Sequence, residues 1–304
     1  MALFPLVTVV IPVRDDAARL GLCLDRLAAQ SWPQDAIEVI VVDDGSQDDP
    51  SAVCRGRAGV RCIRQPRAGV DAARNLALAS ARGDVLAFTD ADCLPGPDWI
   101  REGVRCLQVN PGAGLVAGHI EMVPADPAHV TAVEWADILA GFNQRRRVDD
   151  LHFGATANVF TTRAVLDDVG PFDGALESGG DLEFGQRVWR SGHAVVYCLG
   201  AVVAHPTRRT WRGLLGRIGR TARGQHALAV RHGIGRAGFW FALGRLLRLP
   251  LRTIWRSTRD PRIDGQTTRA GVAVGLLAIH LVTWWTRLRL TAAGATILFS
   301  GESA

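Results

Sequence analysis

The chain of 304 residues contains no lysine, so all 35 of its basic residues are arginine. Its six cysteines show no C-x-x-C spacing, which argues against a structural zinc site. The first eleven residues are mostly apolar, but no basic segment precedes them and Pro12 ends the run, so no secretory signal is predicted. Together, these absences predict buried thiols in a reducing, cytoplasmic setting.

Acidic residues are nearly missing from one part of the chain. Between Arg208 and Arg262 there are 14 arginines and a single acid, Asp260, so this segment carries a formal charge of +13. Because the whole chain carries +5, the remainder carries −8. The sequence therefore predicts a separate basic region near the C-terminus.

Strand and helix patterns alternate through the first two hundred residues. This alternation predicts an α/β fold with a mostly parallel sheet and helical crossovers. The predicted strands are 6–11, 37–42, 60–63, 85–89, 115–120, 156–160, 195–197 and 202–204, and the predicted helices are 17–30, 70–81, 162–169 and 182–191.

Acidic residues follow two of the apolar strands directly. Asp43 and Asp44 come after 37–42, and Asp90 and Asp92 come after 85–89. In open α/β sheets, ligands bind at the carboxyl ends of the strands. Asp90 and Asp92 are two residues apart, and two carboxylates at this spacing can hold Mg²⁺ or Mn²⁺ with positions left for phosphate oxygens. The alternatives are a solvated turn for the Asp90 pair, and helix capping by Asp44 or Ser46.

Three further residues suit a site that binds a diphosphate and transfers a group. Arg74, in the second turn of a helix, could reach a diphosphate, although a surface arginine is the alternative. Asp181, at a helix start, is either a cap or a general base. His205, at a strand end, is either structural or a metal ligand beside Asp92.

Taken together, these elements resemble the family-2 glycosyltransferases of the GT-A fold, over about residues 5–208. The motifs that carry the resemblance are Val9-Val10-Ile11-Pro12, Val41-Val42-Asp43-Asp44-Gly45-Ser46, Gly69 through Asn75, Thr89-Asp90-Ala91-Asp92, Gly170-Pro171-Phe172-Asp173, Gly179 through Gly192, and His205. Their order and spacing are more specific than any one of them. The resemblance implies a GT-A type nucleotide-diphospho-sugar transferase fold.

The resemblance also implies roles on the donor side. Asp44 would read the nucleotide base, with main chain near Pro12 beside it. Arg74 would contact the diphosphate, and Gly69 would belong to the same donor-binding set. Asp90 would bind the ribose or a metal-bound water. The implied donor is a nucleotide sugar, with a UDP-sugar as the default.

The remaining roles concern the metal and the reaction. Asp92 would bind Mn²⁺ or Mg²⁺ directly, Asp90 would support it and His205 would add a further ligand. Asp181 would be the catalytic base, and the sugar would transfer with inversion at the anomeric carbon.

The chain departs from the family pattern in a few places. Gly180 precedes Asp181 where a glutamate is usual, and Asp15 stands where asparagine is common. No Gln-x-x-Arg-Trp element of processive synthases is present, so transfer of a single sugar is predicted.

The C-terminal region combines arginine with tryptophan and leucine. Domain bounds of 1–207 (a nucleotide-binding half, 1–112, and an acceptor half, 113–207) and 208–304 are predicted. Basic helices with aromatic residues, recurring at 211–218 and 239–255, favour an anionic membrane surface. A helical subdomain with a solvated arginine face is the alternative, and no nucleic-acid recognition module is present.

Residues 270–286 carry no charge, but 17 residues of helix span roughly 25 Å, short of the ~30 Å hydrocarbon core. Peripheral or monotopic attachment to the inner face of the cell membrane is therefore predicted.

The predicted function is transfer of one sugar to a hydroxyl of a glycan or lipid-linked acceptor in cell-surface polysaccharide or glycolipid synthesis. Two alternatives stand beside it. A sugar-nucleotide pyrophosphorylase would need a glycine-rich phosphate loop, which residues 10–22 lack. A non-catalytic membrane-bound scaffold of the same fold would not need Asp92, Asp181 and His205.

Overall fold

The computed structural model describes residues 4–231, 244, 251–257 and 259–300. Eight strands form one sheet in these residues. They are β1 (Val7–Val13), β2 (Ile37–Asp44), β3 (Val60–Gln65), β4 (Val85–Thr89), β5 (Leu94–Pro95), β6 (Ala113–Val123), β7 (Asn158–Thr162) and β8 (Ala194–Pro206).

The helices of the described residues connect these strands and follow the last of them. They are α1 (Ala17–Ala28), α2 (Pro50–Cys54), α3 (Val70–Ser80), α4 (Trp99–Val109), α5 (Ala132–Ala140), α6 (Gln144–Leu151), α7 (Arg163–Val169), α8 (Gly180–Arg190), α9 (Trp211–Arg231), α10 (Leu251–Ser257) and α11 (Gln266–Ser300), with one 3-10 turn at Gln34–Ala36.

The sheet has the strand order β3-β2-β1-β4-β7-β6-β8-β5. Strands β3, β2, β1 and β4 pair in parallel, whereas β7 runs antiparallel to both β4 and β6. The α/β prediction is confirmed, with the parallel strands in the first half of the domain and antiparallel strands in the second.

Strand β2 shows why the parallel half is apolar on both faces. All eight of its residues are buried, and residues 39–42 form a continuous apolar run. Val39 and Val41 face the core that contains Leu20 of α1, and Ile40 and Val42 face the core that contains Ala73 of α3. Because successive side chains of a strand point to opposite faces, a continuous apolar run is what a sheet covered by helices on both sides requires.

One prediction for the second half is wrong. Residues 195–197 and 202–204 belong to a single strand, β8. Leu199 is 68% exposed and Gly200 follows it, so the apolar pattern breaks although the backbone stays extended. The sequence reading also missed α4, whose buried Trp99 and Ile100 pack into the core beside α1.

The chain divides into two compact units. The first comprises Met1–Met122 and Phe142–Pro206, and it contains the strands listed above except the last residue of β6. The second comprises Val123–Gly141 and Thr207–Ala304. The predicted domain bounds place 123–141 in the first domain, whereas the structure groups these residues with the C-terminal helices.

Two buried acids of α5 explain this grouping. Glu134 caps its own helix with Thr131 and accepts a hydrogen bond from Thr207 Oγ1 at 3.1 Å. Asp137, 1% exposed, accepts hydrogen bonds from the Arg208 backbone N–H and from the Arg217 guanidinium of α9. The inserted helix therefore binds the chain where it leaves β8. Most of the predicted helical segment 239–255 lies outside the described residues.

A buried carboxylate ties three strands together at the amino ends of the parallel strands. Glu38 of β2 is 2% exposed and accepts hydrogen bonds from Thr8 Oγ1 at 2.7 Å and from the Arg82 backbone N–H at 2.9 Å. The guanidinium groups of Arg61 and Arg82 bind it as well. Burial alone would raise the pKa of Glu38, but these hydrogen bonds outweigh burial and lower that pKa.

We expect Glu38→Gln to lower the free energy of unfolding at pH 7 by about 1–3 kcal/mol, because it removes a charge that several donors satisfy. A lowered folded-state pKa means that the carboxylate stabilises the protein above the pKa it has in the unfolded chain. That contribution is lost as the pH falls through the folded-state pKa. Urea unfolding at pH 7 and near pH 3 should therefore show a difference between variant and wild type that shrinks in acid. Asp35→Asn, at an exposed position, is the control, and an equal loss in both variants would contradict the assignment.

Candidate active site

The predicted acids gather at one edge of the sheet. Asp44 is the last residue of β2, and Asp90 follows the last residue of β4. Strand β1, which contains Pro12, lies between these two strands and pairs with both. Since all three strands are parallel, their carboxyl ends form a single crevice of the kind that binds ligands in α/β sheets.

A group of possible metal ligands lies at this edge. One ligand atom from each of Asp90, Asp92, Cys93 and His205 lies within 4.8 Å of the others. His205 Nε2 is 3.9 Å from Asp92 Oδ1. The structure thus brings together the three residues that the sequence proposes as metal ligands, and adds Cys93.

Strand pairing accounts for the position of His205. The two residues of β5 follow Cys93 directly and pair antiparallel with β8, with Leu94 opposite Ala204. This register places His205, the next residue of β8, beside the loop that contains Asp92. The approach of two residues so far apart in sequence therefore depends on a two-residue strand.

The ring of His205 is oriented for binding through Nε2. Its Nδ1 lies 2.9 Å from the carbonyl oxygen of Pro206, and a carbonyl can only accept a hydrogen bond. In the neutral ring the proton is thus on Nδ1, and Nε2 has a lone pair that faces Asp92. The side chain is 3% exposed and packs against the ring of Phe142 at 4.9 Å.

The set of donors fits a hard divalent cation. Carboxylate oxygens and an imidazole nitrogen suit Mn²⁺, and carboxylates suit Mg²⁺. Burial raises the pKa of Cys93 well above that of an ordinary thiol, and Asp90 and Asp92 raise it further. Sulfur is a soft ligand, so Asp90, Asp92 and His205 are better ligands than Cys93 for a hard cation.

Asp90 sits between like and opposite charges. Burial raises its pKa, the guanidinium of Arg74 opposes that rise, and the carboxylate of Asp92 adds to it. Its side chain is 34% exposed, so it remains open to a ligand. On the other side of the cluster, Arg19 NH1 of α1 lies 3.5 Å from Asp92 Oδ2.

Arg74 is buried, which rules out the alternative of a surface arginine. It is 5% exposed, and its NH1 donates to Asp71 Oδ1 at 2.7 Å. Its NH2 lies 3.5 Å from Asp90 Oδ1, and its guanidinium stands over the ring of Phe172 at 5.6 Å. The buried Nε has no hydrogen-bond partner in the described part of the chain. A guanidinium with an unsatisfied donor beside Asp90 is suited to an anionic ligand such as a diphosphate.

Asp44 holds a loop in place. Its carboxylate accepts hydrogen bonds from Gln65 Nε2 at 2.8 Å and from the backbone N–H groups of Ala68 and Gly69. Gly69 precedes α3 with a φ of 104°, which an L side chain rarely adopts. No atom lies within 4 Å of the position that a Cβ would take at Gly69, so the start of α3 is open to a ligand.

The alternative of helix capping by Asp44 or Ser46 is wrong. Helix α2 is capped by Asp49, which accepts from the Ala52 backbone N–H. Asp43 accepts from the Ser46 backbone N–H at 2.8 Å and binds Arg64 at 2.9 Å. The two neighbouring acids thus serve different loops.

Asp181 lies in the first turn of α8 and is partly exposed. Its Oδ1 accepts from the Leu182 backbone N–H at 2.8 Å, which fixes the side chain. Its charge contributes to the raised pKa of Asp90, so the two carboxylates are near each other. Glu183 is engaged elsewhere, since it binds Arg187 at 2.8 Å while Arg187 donates to carbonyls of residues 169–171.

Two residues of α3 were not singled out from the sequence. Asp71 is 2% exposed and pairs with Arg74. Asn75 Nδ2 donates to the Phe172 carbonyl at 2.7 Å, and Asn75 Oδ1 accepts from the Phe172 backbone N–H at 3.0 Å. The signal was present, because a buried helix face is expected to be apolar, and Asp71, Arg74 and Asn75 break that rule at helical spacing.

Comparison with known proteins follows the same motifs. A model of the family described as glycosyl transferase family 2 matches residues 8–170. Glycosyltransferase AglE of Haloferax volcanii is 30% identical over 304 residues, which cover 98% of each chain. The pre-mycofactocin glycosyltransferase of Mycobacterium tuberculosis is 30% identical over 237 residues, which cover 74% of this chain and 48% of that protein.

Solved structures share the fold at lower identity. The mannosyltransferase PcManGT of Pyrobaculum calidifontis, in complex with GDP-Man and Mn²⁺, is similar with a TM-score of 0.60 and 20% identity, over 100% of this chain and 77% of that one. GalNAc-T7 with UDP, GalNAc and Mn²⁺ is similar with a TM-score of 0.53 and 17% identity, over 68% of this chain and 45% of that one. The GT-A fold prediction is thereby confirmed. With a family match over more than half of its length and a relative aligned end to end, the chain belongs to glycosyl transferase family 2 and is a glycosyltransferase that takes its sugar from a nucleotide-sugar donor.

Proposed function

We propose that the protein transfers a single sugar, with inversion at the anomeric carbon, from a nucleoside-diphosphate donor to a hydroxyl acceptor at a divalent metal site. The observation that carries this proposal is the convergence of Asp90, Asp92 and His205 with the buried Arg74 at one sheet edge. Membership of a glycosyltransferase family disfavours the pyrophosphorylase and the non-catalytic scaffold.

The residues of the chain divide the work on the donor side. Asp92 and His205 would hold the metal directly, with Asp90 supporting the metal or the ribose. A divalent cation bound there would neutralise negative charge that develops on the departing diphosphate. Arg74 donates to the diphosphate from the opposite side, and its unpartnered Nε supports this role. Asp44 and the main chain near Pro12 lie at the same edge of the sheet, where they would bind the nucleoside.

Asp181 is the proposed catalytic base. It is ionisable, partly exposed and close enough to Asp90 to influence its pKa. It would take the proton from the acceptor hydroxyl as the oxygen attacks the anomeric carbon. Attack from the side opposite the diphosphate inverts the configuration. The hydrogen bond from the Leu182 backbone N–H keeps the carboxylate in one orientation for this step.

The nucleotide base and the sugar of the donor are proposed from the ligands of the solved relatives. PcManGT, whose fold covers this whole chain, was solved with GDP-Man and Mn²⁺, and GalNAc-T7 was solved with UDP and Mn²⁺. Both examples support Mn²⁺ as the metal, and they differ in the nucleotide base of the ligand. A UDP-sugar remains the default donor, and GDP is the competing nucleotide in the binding test below.

The acceptor is proposed to be a lipid-linked or cell-surface glycan, because the second unit has features that suit binding to a membrane surface. Helix α11 has 35 residues, and its stretch Gln266–Thr291 is long and apolar enough to cross a membrane. This stretch extends beyond the charge-free run 270–286 at both ends. Only 17% of the most apolar window is buried, and Val274, Leu281 and Trp285 are exposed at intervals that place them on one face.

Packing within the second unit favours attachment in the plane of the membrane over a span. One side of α11 packs on α5 through Val272 and Leu276. Arg287 of α11 also donates to Gln225 of α9 at 2.6 Å. A spanning α11 would carry the arginines of α9 toward the hydrocarbon, where each charge costs several kcal/mol. The exposed stripe can enter the interface while the packed side stays covered.

The metal site is tested by calorimetry of UDP and of GDP, each with and without Mn²⁺. We expect one of the two nucleotides to bind wild type only when Mn²⁺ is present. Asp92→Asn should weaken that binding by at least about 100-fold, because changes even to residues that only orient metal ligands cost 10–100-fold. Asp35→Asn is the control. The metal assignment would be refuted if nucleotide affinity were the same with and without Mn²⁺, or if Asp92→Asn bound the nucleotide as tightly as wild type.

The proposed base is tested by separating turnover from donor binding. We expect Asp181→Asn to lower kcat by about 10²–10⁴-fold with the affinity for the nucleotide unchanged, because only proton transfer is lost. The amide keeps an oxygen to accept from the Leu182 N–H, so the local fold should persist. Glu177→Gln, at an exposed position in the same loop, should retain full activity. Full turnover by Asp181→Asn would refute the role.

Membrane attachment is tested with vesicles that contain anionic lipid. Wild type should sediment with them, and the double variant Leu281→Glu/Trp285→Glu should stay in solution, since it places charge on the exposed stripe. Val109→Glu, at an exposed apolar position of α4, should still sediment. Membrane attachment would be refuted if wild type did not sediment with the vesicles and carbonate released it fully from membranes.

A further inference from the structure

A buried aspartate lies beside the site without a role in the proposed reaction. Asp71, in the first turn of α3, is 2% exposed, and its Oδ1 accepts from Arg74 NH1 at 2.7 Å. Burying a carboxylate costs several kcal/mol unless a partner compensates. Burial indeed raises the pKa of Asp71, Arg74 opposes the rise, and the charges of Asp181 and Asp173 add to it. The protein therefore maintains an unfavourable acid at this place.

Space for this carboxylate exists only because residue 180 is glycine. A Cβ at Gly180 would lie 2.0 Å from Asp71 Oδ2 and 2.5 Å from Asp71 Cγ, far inside contact distance. Gly180 is the first residue of α8 and directly precedes Asp181. The carboxylate of Asp71 thus lies against the start of the helix that contains the proposed base, where negative charge is favoured by the helix dipole.

Asp71 also holds one end of the Arg74 guanidinium. One terminal nitrogen of Arg74 is held by Asp71 at 2.7 Å, and the other is 3.5 Å from Asp90. Without Asp71, the guanidinium would be drawn to the remaining carboxylates, Asp90 and Asp92, which are needed for the metal. With Asp71 in place, Arg74 stays on the face of Phe172 and keeps its Nε unpaired.

We propose that Asp71 is a positioning residue that holds Arg74 for the donor diphosphate, and that Gly180 is required because its missing side chain leaves room for the Asp71 carboxylate. This inference rests on the proposed function, since it assumes that Arg74 contacts a diphosphate. Asp71 itself does not touch the reacting atoms. It acts by setting the direction and the free hydrogen-bonding capacity of one guanidinium.

The test compares nucleoside diphosphate with the matching monophosphate, with Mn²⁺ present, using whichever of UDP and GDP binds wild type. Asp71→Ala should weaken the diphosphate by about 10-fold or more, the scale seen when a residue that orients a binding group is removed. It should change the monophosphate little, because the proposal places Arg74 on the phosphate that the monophosphate lacks. A purely structural role would weaken both ligands alike, and that result would overturn the proposal.

Two double variants separate space from charge. Gly180→Ala alone should lower the melting temperature, whereas Asp71→Ala/Gly180→Ala should recover it, because the second change removes the clash. That double variant should still bind the diphosphate weakly. Asp71→Ala/Gly180→Asp returns a carboxylate to the same space and should restore most of the diphosphate affinity.

The outcomes distinguish this inference from the proposed function. If wild type binds neither UDP nor GDP with Mn²⁺, the proposed function fails. If wild type binds one of them and Asp71→Ala/Gly180→Ala binds it equally well, the proposed function stands and the role of Asp71 is refuted. The same holds if Asp71→Ala/Gly180→Asp folds but binds the diphosphate no better than Asp71→Ala/Gly180→Ala.

Discussion

The buried guanidinium of Arg74 is the charge around which the site is arranged. A cation at 5% exposure is tolerated only when its partners are fixed, and here they come from separate elements. Asp71 binds it from the same helix, Asp90 approaches from the end of β4, and the ring of Phe172 covers one face. Asn75 in turn holds the backbone of Phe172 through two hydrogen bonds. Helix α3, the strand end and the loop before α8 are thus locked to one another by a few polar contacts.

The sequence predicted the parallel strands well, because a strand buried on both faces is largely apolar, and the apolar runs of β2 and β4 each stop at an acid. It could not predict how His205 reaches Asp92. That approach depends on the pairing of Leu94 with Ala204, in a strand of two residues with no periodicity to detect. Strand β8 was divided for a related reason, since Leu199 and Gly200 resemble a turn although the backbone remains extended.

Neighbouring residues with the same chemistry were the hardest to assign. Asp43 and Asp44 look equivalent in sequence, yet successive side chains of a strand face opposite sides. Asp43 binds Arg64 and the Ser46 backbone, whereas Asp44 holds the loop that leads into Gly69. The departure at Gly180 has a physical reason that depends on the three-dimensional fold, because a Cβ there would overlap the carboxylate of Asp71, more than a hundred positions earlier.

The second unit illustrates why a count of uncharged residues underestimates a helix. The charge-free run ends at Arg287, but α11 continues to Ser300 because arginine is a good helix former. Arg287 binds Gln225, and Arg289 stands over the ring of Trp285 at 5.0 Å. These contacts limit how α11 can bind a membrane. Arg287 binds Gln225 of α9, whereas Leu281 and Trp285 are exposed. Length alone permits a span, whereas the packed and exposed faces together favour a helix lying along the surface.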